Sequence, residues 1–127
     1  MKILITGSKG FIGRHLTSYL LEREDVFYEV TELSQRLEED IESQFKGQDV
    51  VVHLAAKLVD HAPDLYKVNV EGTEKVAQLC LKYNCKLINM SSDLAFDRNP
   101  YGQSKGQAER IVEKYAGQGL KAITLRP

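Results

Sequence analysis

The sequence predicts an α/β fold: a doubly wound parallel sheet of about five strands, with helices on both faces of the sheet. Two observations predict this fold class. Short apolar runs alternate along the chain with longer segments of helical periodicity, and the first apolar run leads directly into a loop rich in glycine. Strands that alternate with helices favour parallel pairing through right-handed crossovers, because each helix returns the chain to the start of the next strand.

The first half of the chain contains three predicted strands and two predicted helices. Residues 2–6 form an apolar run typical of a strand buried on both faces, and residues 26–33 predict a second strand. Residues 49–55 are another buried apolar run. Residues 37–46 indicate a short helix, and residues 11–22 indicate a longer one. The apolar stripe of that longer helix comprises Phe11, Ile12, Leu16, Tyr19 and Leu20.

The second half predicts two helices and two strands. Residues 63–83 form the longest helical pattern, and residues 101–116 form the last one. Residues 86–92 and 121–126 predict strands. The stripe of the longest helix steps by three and four through Leu65, Val68, Gly72, Val76, Leu79 and Tyr83. Ligands bind parallel sheets beyond the carboxyl ends of the strands, and the loops at that edge are 7–13, 34–36, 54–62 and 91–100.

The composition is that of an ordinary globular domain without a nucleic-acid or membrane partner. A chain of 127 residues is enough for one domain, and its formal net charge of −1 offers no broad basic surface to nucleic acid or anionic lipid. The apolar run near the N-terminus is too short for a signal peptide, and no run is long enough to span a membrane. We therefore expect a cytoplasmic protein.

The two cysteines, Cys80 and Cys85, are predicted to be reduced and packed. Four residues separate them, and neither a second cysteine pair nor a histidine accompanies them at ligand spacing. A disulfide or a zinc site is therefore not expected, and no metal site is predicted elsewhere.

The loop after the first strand has the features of a phosphate-binding turn. Gly7, Gly10 and Gly13 are spaced three apart between a strand and a helix. Gly7 would make the turn, Gly10 would let the backbone approach a pyrophosphate, and Gly13 would let the helix lie close to the strand. The alternative is an ordinary strand-to-helix turn that happens to be rich in glycine.

Four stretches in chain order resemble the extended short-chain dehydrogenase/reductase family, the NAD-dependent epimerase/dehydratase group. The stretch "ITGSKGFIG" (5–13) resembles the T-G-x-x-G-F-I-G loop of that family. The other three are "HLAA" (53–56), "NVEGT" (69–73) taken together with "NMSS" (89–92), and "YGQSK" (101–105). The resemblance implies a Rossmann-like three-layer fold that binds NAD or NADP and serves a nucleotide-sugar substrate.

The resemblance also defines what this chain lacks. One strand usual in the family between residues 34 and 49 is missing, so we expect five strands in the order 2-1-3-4-5. Residues 1–127 correspond to the NAD(P)-binding domain, and the smaller C-terminal domain that binds the nucleotide-sugar is absent from this chain. A homodimer is possible, and the sequence leaves the oligomeric state open.

Tyr101 and Lys105 lie four apart on a predicted helix, so they share one face, although a chance pair of a packed tyrosine and a solvated lysine would have the same spacing. The resemblance assigns them, with Ser92, to catalysis. Tyr101 would exchange a proton with a sugar hydroxyl or ketone, and Lys105 would lower the phenol pKa and hold the cofactor ribose. Ser92 would hydrogen-bond the substrate oxygen.

The predicted cofactor-binding residues are Gly7, Ser8, Lys9, Gly10, Phe11, Ile12, Gly13, Ser34, Arg36, Leu54, Ala55, Ala56, Asn69, Tyr101 and Lys105. Ser34 aligns where an acid usually grips the ribose 2′-hydroxyl, and Arg36 could meet a 2′-phosphate, which gives a slight preference for NADP. Glu32 favours NAD if the strand ends earlier. Asn69 is interpreted chiefly as a satisfied core amide, and His53 as a buried, hydrogen-bonded imidazole.

Two classes of function stay open at this stage. The first is an oxidoreductase or epimerase that acts on a nucleotide-sugar and is complete only with more chain. Dehydration is disfavoured, because Leu94 follows Asp93 where dehydratases of the family carry Asp-Glu. The stretch "SSDLAFD" (91–97) resembles dTDP-4-dehydrorhamnose reductases, and the short loop after it resembles capsular nucleotide-sugar reductase domains. The second class is an NAD(P)-binding module, or a truncated fragment, without turnover.

Overall fold

The computed structural model describes residues 1–127 and contains a single sheet of five parallel strands. The strands are β1 (Lys2–Thr6), β2 (Glu29–Glu32), β3 (Val50–His53), β4 (Lys86–Met90) and β5 (Ala122–Leu125). Their spatial order is β2-β1-β3-β4-β5, and every neighbouring pair is parallel. This confirms the predicted order 2-1-3-4-5. The order reverses at β1, so the carboxyl ends of β1 and β3 flank the switch point at which such sheets bind ligands.

Helices cover both faces of the sheet. They are α1 (Phe11–Glu22), α2 (Thr73–Lys82) and α3 (Pro100–Ala116). A π-helical segment, Lys67–Gly72, runs directly into α2, so the predicted long helix is continuous but wider over its first turns. None of the helices combines the length and the apolar character that crossing a bilayer requires.

The larger part of the core lies between the sheet and the helices α2 and α3. There Leu4, Val51 and Leu87 of neighbouring strands are fully or almost fully buried against the two helices. The opposite face carries a smaller cluster of Ile3, Ile5 and Val52 beneath α1. Because the inner strands β1 and β3 are covered on both faces, they are almost entirely apolar rather than alternating, whereas the edge strands β2 and β5 are more exposed.

The stripe predicted for α1 is only partly correct. Leu16 and Leu20 pack against the small cluster, as expected. Phe11 is 75% exposed and Tyr19 is 57% exposed, because α1 meets the sheet along a narrow line. Its only buried residue is Gly13, where the helix passes over the preceding loop.

The segment predicted as a helix over 37–46 is not one. Only Glu42–Phe45 forms a short 3₁₀ turn. Leu37, Ile41 and Phe45 are buried at four-residue spacing, which mimics a helical stripe, but they insert into the core from an irregular backbone. Lys75 Nζ donates to the Leu37 carbonyl at 2.7 Å, which satisfies that group without a helix. The absence of a strand here agrees with the expectation that the sheet has five strands.

Candidate functional site

A cleft of about 400 Å³ opens at the carboxyl edge of the sheet, where the strand order reverses. The loops after β1, β2 and β3 form its walls. Nine of the predicted cofactor-binding residues line it: Gly7, Ser8, Lys9, Gly10, Ser34, Arg36, Leu54, Ala55 and Ala56. The other predicted residues lie outside this lining, namely Phe11, Ile12, Gly13, Asn69, Tyr101 and Lys105.

Gly7 and Gly13 are required by the fold itself. Gly7 has a φ of +70°, and a Cβ there would lie 2.6 Å from the Ala55 nitrogen. A Cβ on Gly13 would lie 2.2 Å from the Gly7 carbonyl oxygen and 2.7 Å from Ser8 Cα. Both positions are closed to any side chain because the obstacles are backbone atoms, so these glycines pack the loop against β3 and α1 against the loop.

Gly10 differs from the other two glycines. Its φ is −73° and its ψ is 176°, a conformation open to any residue. The nearest atom to a Cβ would be the Gly7 oxygen at 3.4 Å, an ordinary contact. No atom of the protein therefore requires a glycine at this position. Gly10 lines the cleft, so a side chain there would occupy ligand space rather than protein space.

The N-terminus of α1 is not capped by a side chain. The first intrahelical bond runs from Arg14 N to the Gly10 oxygen at 2.9 Å, so the amides of Phe11, Ile12 and Gly13 precede it without a partner inside the helix. Unpaired amides and the dipole at a helix N-terminus favour an anion, and Gly10, which directly precedes these amides, lines the cleft. Phe11 and Ile12 have exposed side chains, so their contribution comes from the backbone.

The N-terminus of α3, by contrast, is capped twice. Asn99 Oδ1 accepts from Gly102 N at 2.7 Å, and Asp60 Oδ1 accepts from Tyr101 N at 3.1 Å. Pro100 occupies the first helical position, where its missing N–H costs nothing. Two side-chain oxygens thus accept from the first amides of α3, whereas the start of α1 has no side-chain cap.

A buried chain of hydrogen bonds fixes the wall made by residues 54 and 55. Thr73 Oγ1 donates to the Asn69 carbonyl at 2.9 Å, so it accepts from His53 Nε2 at 3.0 Å. His53 Nδ1 is then free to accept from Thr6 Oγ1 at 2.7 Å. The Thr6 oxygen accepts in turn from the amides of Leu54 and Ala55 at 3.1 and 3.2 Å.

His53 is neutral in this chain. Burial, with a further contribution from the positive charge of Lys105, lowers the pKa of His53 to about 3. The hydrogen bonds fix the tautomer with the proton on Nε2, because Thr73 already donates elsewhere. The interpretation of His53 as a buried, hydrogen-bonded imidazole is thus confirmed by its 2% exposure and its two partners.

Asn69 is a fully satisfied buried amide that holds the end of the same wall. Its Oδ1 accepts from Lys57 N at 2.8 Å, and its Nδ2 donates to the Lys57 oxygen at 2.9 Å and to Ser104 Oγ at 3.0 Å. Asn69 therefore joins the loop after β3 to helix α3. It lies in the π-helical segment, a local widening that is frequent at functional sites.

Ser92, Tyr101 and Lys105 lie at the carboxyl end of β4 and at the start of α3. Lys105 is only 5% exposed, and its Nζ donates to the Met90 carbonyl at 2.9 Å. Ser92 Oγ accepts from Leu94 N at 3.1 Å. Tyr101 is partly buried one turn before Lys105. The three side chains share no hydrogen bond with one another: Lys105 reaches the end of β4, Ser92 follows that strand, and Tyr101 lies one turn earlier on α3.

Two charged groups surround the buried lysine. Burial lowers the pKa of Lys105 to about 8, while the carboxylate of Glu109 acts in the opposite direction. Glu109 accepts two bonds from Arg126, at 2.8 Å from Nε and 2.6 Å from the terminal nitrogen. The Arg126 guanidinium holds the pKa of Glu109 below its usual range. A bidentate pair thus stabilises the end of β5 against α3, next to the lysine.

The loop between β4 and α3 is shaped by Phe96, which belongs to the stretch "SSDLAFD" (91–97). Phe96 has a φ of +72°, and its ring occupies the space over Gly106, where a Cβ would lie 2.6 Å from the ring. The guanidinium groups of Arg110 and Arg126 lie 5.0 and 5.6 Å from its centroid. The glycines at 102 and 106, one turn apart on α3, were the available sequence signal for this packing.

Comparison with known proteins identifies one family and several relatives. The profile described as "NAD dependent epimerase/dehydratase family" matches residues 3–127. The 3 beta-hydroxysteroid dehydrogenase type 7 of Rattus norvegicus is 28% identical over 169 residues, covering 93% of this chain and 50% of the relative. A dTDP-4-dehydrorhamnose reductase of Aggregatibacter actinomycetemcomitans is 28% identical over 136 residues, covering 87% of this chain and 46% of the relative. The chain spans about half the length of these curated relatives.

Solved structures give the same result for the fold. The UDP-glucuronic acid 4-epimerase of Bacillus cereus, solved with NAD, matches with a TM-score of 0.87 at 22% identity, over 99% of this chain and 56% of that one. The dTDP-4-dehydrorhamnose reductase of Bacillus anthracis, solved with NADP, matches with a TM-score of 0.77 at 26% identity, over 98% of this chain and 52% of that one. The Rossmann-like fold predicted from the sequence is confirmed.

Proposed function

This chain belongs to the NAD dependent epimerase/dehydratase family, and from that premise we propose that it is the cofactor-binding half of an NAD(P)-dependent enzyme that reduces or epimerises a nucleotide-sugar. The observation that carries the proposal is the cleft at the switch point. It presents an uncapped helix N-terminus beside Gly10, a glycine that the fold does not require. A ligand with a pyrophosphate matches both features.

The cofactor would be held by three loops with different tasks. The amides at the start of α1 would bind the pyrophosphate, and the loop after β2 would meet the adenosine ribose through Ser34 and Arg36. The rest of the cofactor would lie against the loop after β3, on Leu54, Ala55 and Ala56. Hydrogen bonds to Thr6 and Asn69 hold this loop in place. The bound nicotinamide would supply hydride transfer.

Ser92, Tyr101 and Lys105 would serve the substrate side of the reaction. Ser92 would hydrogen-bond the substrate oxygen, and Tyr101 would exchange a proton with it. Lys105 already lies at the end of β4, where its Nζ has one bond to Met90 and two further donors. Those donors would hold the ribose hydroxyls, and the positive charge would favour the phenolate form of Tyr101.

The nucleotide-sugar substrate is supported by the reductase relative and by the stretch "SSDLAFD" (91–97). The rat relative is named for a hydroxysteroid instead, so a substrate panel would contain both classes. The assay would use the chain together with the C-terminal segment that its longer relatives have. Turnover of a nucleotide-sugar is expected, and turnover of a 3β-hydroxysteroid alone would overturn the substrate proposal.

Gly10→Val is expected to weaken dinucleotide binding by more than about tenfold, or about 1.4 kcal/mol, while leaving the fold intact. The valine methyls would occupy the space beside the free amides of α1, and the backbone at Gly10 already has a conformation that valine accepts. Calorimetric titration with NAD and NADP measures the loss, and circular dichroism verifies the fold.

Gly117→Val provides the matched control. Gly117 follows α3 and has a φ of −63°, and a Cβ there would lie 3.3 Å from the Lys114 oxygen and 3.7 Å from the Glu113 oxygen. The same substitution there should leave cofactor affinity unchanged. Wild-type affinity in Gly10→Val would remove the glycine loop from the site and with it the basis of the proposed function.

The cofactor is proposed to be NADP rather than NAD. β2 ends at Glu32, and the cleft is lined by Ser34 and Arg36 but not by Glu32. Arg36 is 80% exposed, with only a 4.0 Å contact to Glu38, so it is available for a 2′-phosphate. Arg36→Ala should weaken NADP binding by about 10- to 100-fold, the value of a charge-assisted hydrogen bond of about 1.5–3 kcal/mol, and should leave NAD binding unchanged.

Glu38→Ala is the control for that experiment, because it removes the neighbouring charge without removing the guanidinium. It should retain or slightly improve the affinity for NADP. A wild-type preference for NAD of tenfold or more would show that Glu32 reads the ribose instead. Both cofactors occur among the solved relatives, NAD in the Bacillus cereus epimerase and NADP in the Bacillus anthracis reductase.

A dinucleotide-binding module without turnover is the second candidate. It is favoured by one observation: Ser92, Tyr101 and Lys105 share no hydrogen bond with one another in this structure. The two candidates differ in what they require of Tyr101, since a module that only binds the cofactor has no need of a phenol at that position.

A further inference from the structure

A second cavity lies at the opposite edge of the sheet from the cofactor cleft, and it contains both thiols of the protein. Its volume is about 360 Å³, and it opens between the amino ends of β3 and β4 and the turn before β5. Cys80 and Cys85 both line it. Both are free cysteines with buried side chains. The cavity is large enough to admit small solutes to thiols that are otherwise enclosed.

The backbone at the end of α2 places these two cysteines against each other. Asn84 is left-handed, with a φ of +56°. Cys85 N donates to the Cys80 oxygen at 2.9 Å, and Asn84 N donates to the Leu81 oxygen at 3.4 Å. This pair of bonds is the Schellman helix ending, in which the first and last residues of the turn bring their side chains into contact. Here those two residues are Cys80 and Cys85.

The two thiols are chemically unequal. Contact with Cys85 and burial both raise the pKa of the Cys80 thiol. The Cys80 thiol, as a hydrogen-bond donor, lowers the pKa of Cys85. Cys85 Sγ also donates to the Phe45 carbonyl at 3.3 Å, which holds the sulfur in place. Since the thiolate is the nucleophile in cysteine chemistry, Cys85 is the sulfur that reacts first.

We propose that Cys80 and Cys85 are an oxidation site, at which a small hydroperoxide such as hydrogen peroxide converts the two thiols into an intramolecular disulfide. The Cys85 sulfur attacks one peroxide oxygen, the O–O bond breaks, and the departing hydroxide takes the thiol proton to become water. Cys80 then attacks the Cys85 sulfenic acid, forms the S–S bond and expels a second hydroxide, which takes the Cys80 proton. Two thiols and one peroxide become one disulfide and two waters.

The site is independent of the cofactor cleft. Cys80 and Cys85 lie at the amino edge of the sheet, whereas the glycine loop and residues 54–56 lie at the carboxyl edge. Oxidation should therefore proceed at the same rate with and without bound dinucleotide. The protein as expressed, reduced beforehand and treated with hydrogen peroxide, is the sample for the test.

Intact-mass spectrometry is expected to show the loss of two hydrogen atoms per monomer, with both thiols becoming unreactive toward a thiol reagent after denaturation. Dithiothreitol should restore both. Cys80→Ser, which lacks the resolving thiol, should instead accumulate a sulfenic acid at Cys85 that dimedone traps. Cys85→Ser should leave Cys80 as a free thiol under the same treatment. Circular dichroism would verify that both variants are folded.

Two results would overturn the proposal. The first is a wild-type protein that retains two reactive thiols after peroxide treatment, or that forms only disulfides between molecules. The second is equal trapping of sulfenic acid in both single variants, which would show that Cys85 is not the preferred nucleophile. The wild-type mass is decisive by itself, so the outcome stands even if a variant fails to fold.

Discussion

Tyr101→Phe is expected to reduce turnover by about 10² to 10⁴-fold and to leave cofactor affinity nearly unchanged. The hydroxyl would be the group that exchanges a proton with the substrate oxygen, and phenylalanine keeps the ring while removing it. The backbone N–H of Tyr101, which Asp60 accepts at 3.1 Å, is unaffected by the substitution. Single-turnover absorbance of the reduced nicotinamide measures the rate, and calorimetry measures the affinity.

Lys105→Met is the companion variant, and both quantities should decrease in it. Methionine fills a similar buried volume but removes the charge that favours the phenolate and the donors that would hold the ribose. Full activity of the Tyr101→Phe protein would show that the four-residue spacing of Tyr101 and Lys105 is a coincidence without a catalytic role. An equal loss of cofactor affinity in both variants would make Tyr101 a packing residue.

The parts of the fold that sequence could predict are those specified locally. β1 and α1 begin and end where the sequence predicts, because an apolar run, a glycine loop and a helical pattern follow one another without interruption. The strand order also agrees with the prediction. The helix predicted over residues 37–46 was wrong, because burial at four-residue spacing is not specific to a helix. Its side chains reach the core from an irregular backbone that Lys75 stabilises from 38 residues away in the chain.

In the candidate site, too, some features could be predicted from the sequence and others depend on tertiary structure. Residues 7–10 of the glycine loop, Ser34, Arg36 and residues 54–56 line one cleft, whereas six other predicted residues lie outside its lining: Phe11, Ile12, Gly13, Asn69, Tyr101 and Lys105. The sequence could not show that Gly10, unlike Gly7 and Gly13, is free of internal contacts. That distinction depends on distances to backbone atoms of other segments. Which glycines the fold itself requires is therefore a result of tertiary structure.

The hydrogen-bond chain through Thr6, His53 and Thr73 was likewise beyond sequence reasoning. Thr6 and His53 are 47 residues apart, and His53 and Thr73 are 20 apart. Only the parallel pairing of β1 with β3, and the position of α2 over them, bring these side chains together. The last bonds of this hydrogen-bond network are those that the amides of Leu54 and Ala55 donate to Thr6. A buried histidine therefore shapes the cleft without lining it.

Protonation of His53 should destabilise the protein as the pH falls. The pKa of His53 is about 3 when folded and 6.5 in the unfolded reference. Between these values the unfolded chain binds more protons than the folded protein, so the free energy of unfolding rises with pH. The contribution of neutral His53 to that free energy is lost progressively as the pH falls below 6.5. Urea unfolding should show about 2 to 3 kcal/mol less stability at about pH 4.5 than at pH 7, since each pKa unit corresponds to about 1.4 kcal/mol.

His53→Gln is the control, because glutamine keeps a donor and an acceptor but does not titrate. It should be less stable at pH 7 and nearly independent of pH over the same interval. The carboxyls with lowered pKa values, Asp25, Glu42 and Glu109, lose their contribution only below their ordinary values, near or under the lower end of this interval. An equal slope in the variant would assign the effect to those carboxyls instead.

The same titration should leave the cofactor cleft unchanged until the pH approaches about 3, where His53 begins to be protonated in the folded protein. An imidazolium at position 53 would present an Nδ1–H to Thr6 Oγ1, an oxygen that already accepts from the amides of Leu54 and Ala55. The wall would lose its fixed geometry, because that oxygen cannot serve all three donors equally well. We therefore expect the dinucleotide affinity of the folded wild type to stay constant from pH 7 down to about pH 4.5, as in His53→Gln, while the stability of the wild type decreases over that interval. A loss of affinity within that interval in the folded wild type, absent from His53→Gln, would show that His53 takes up a proton in the folded state well above pH 3.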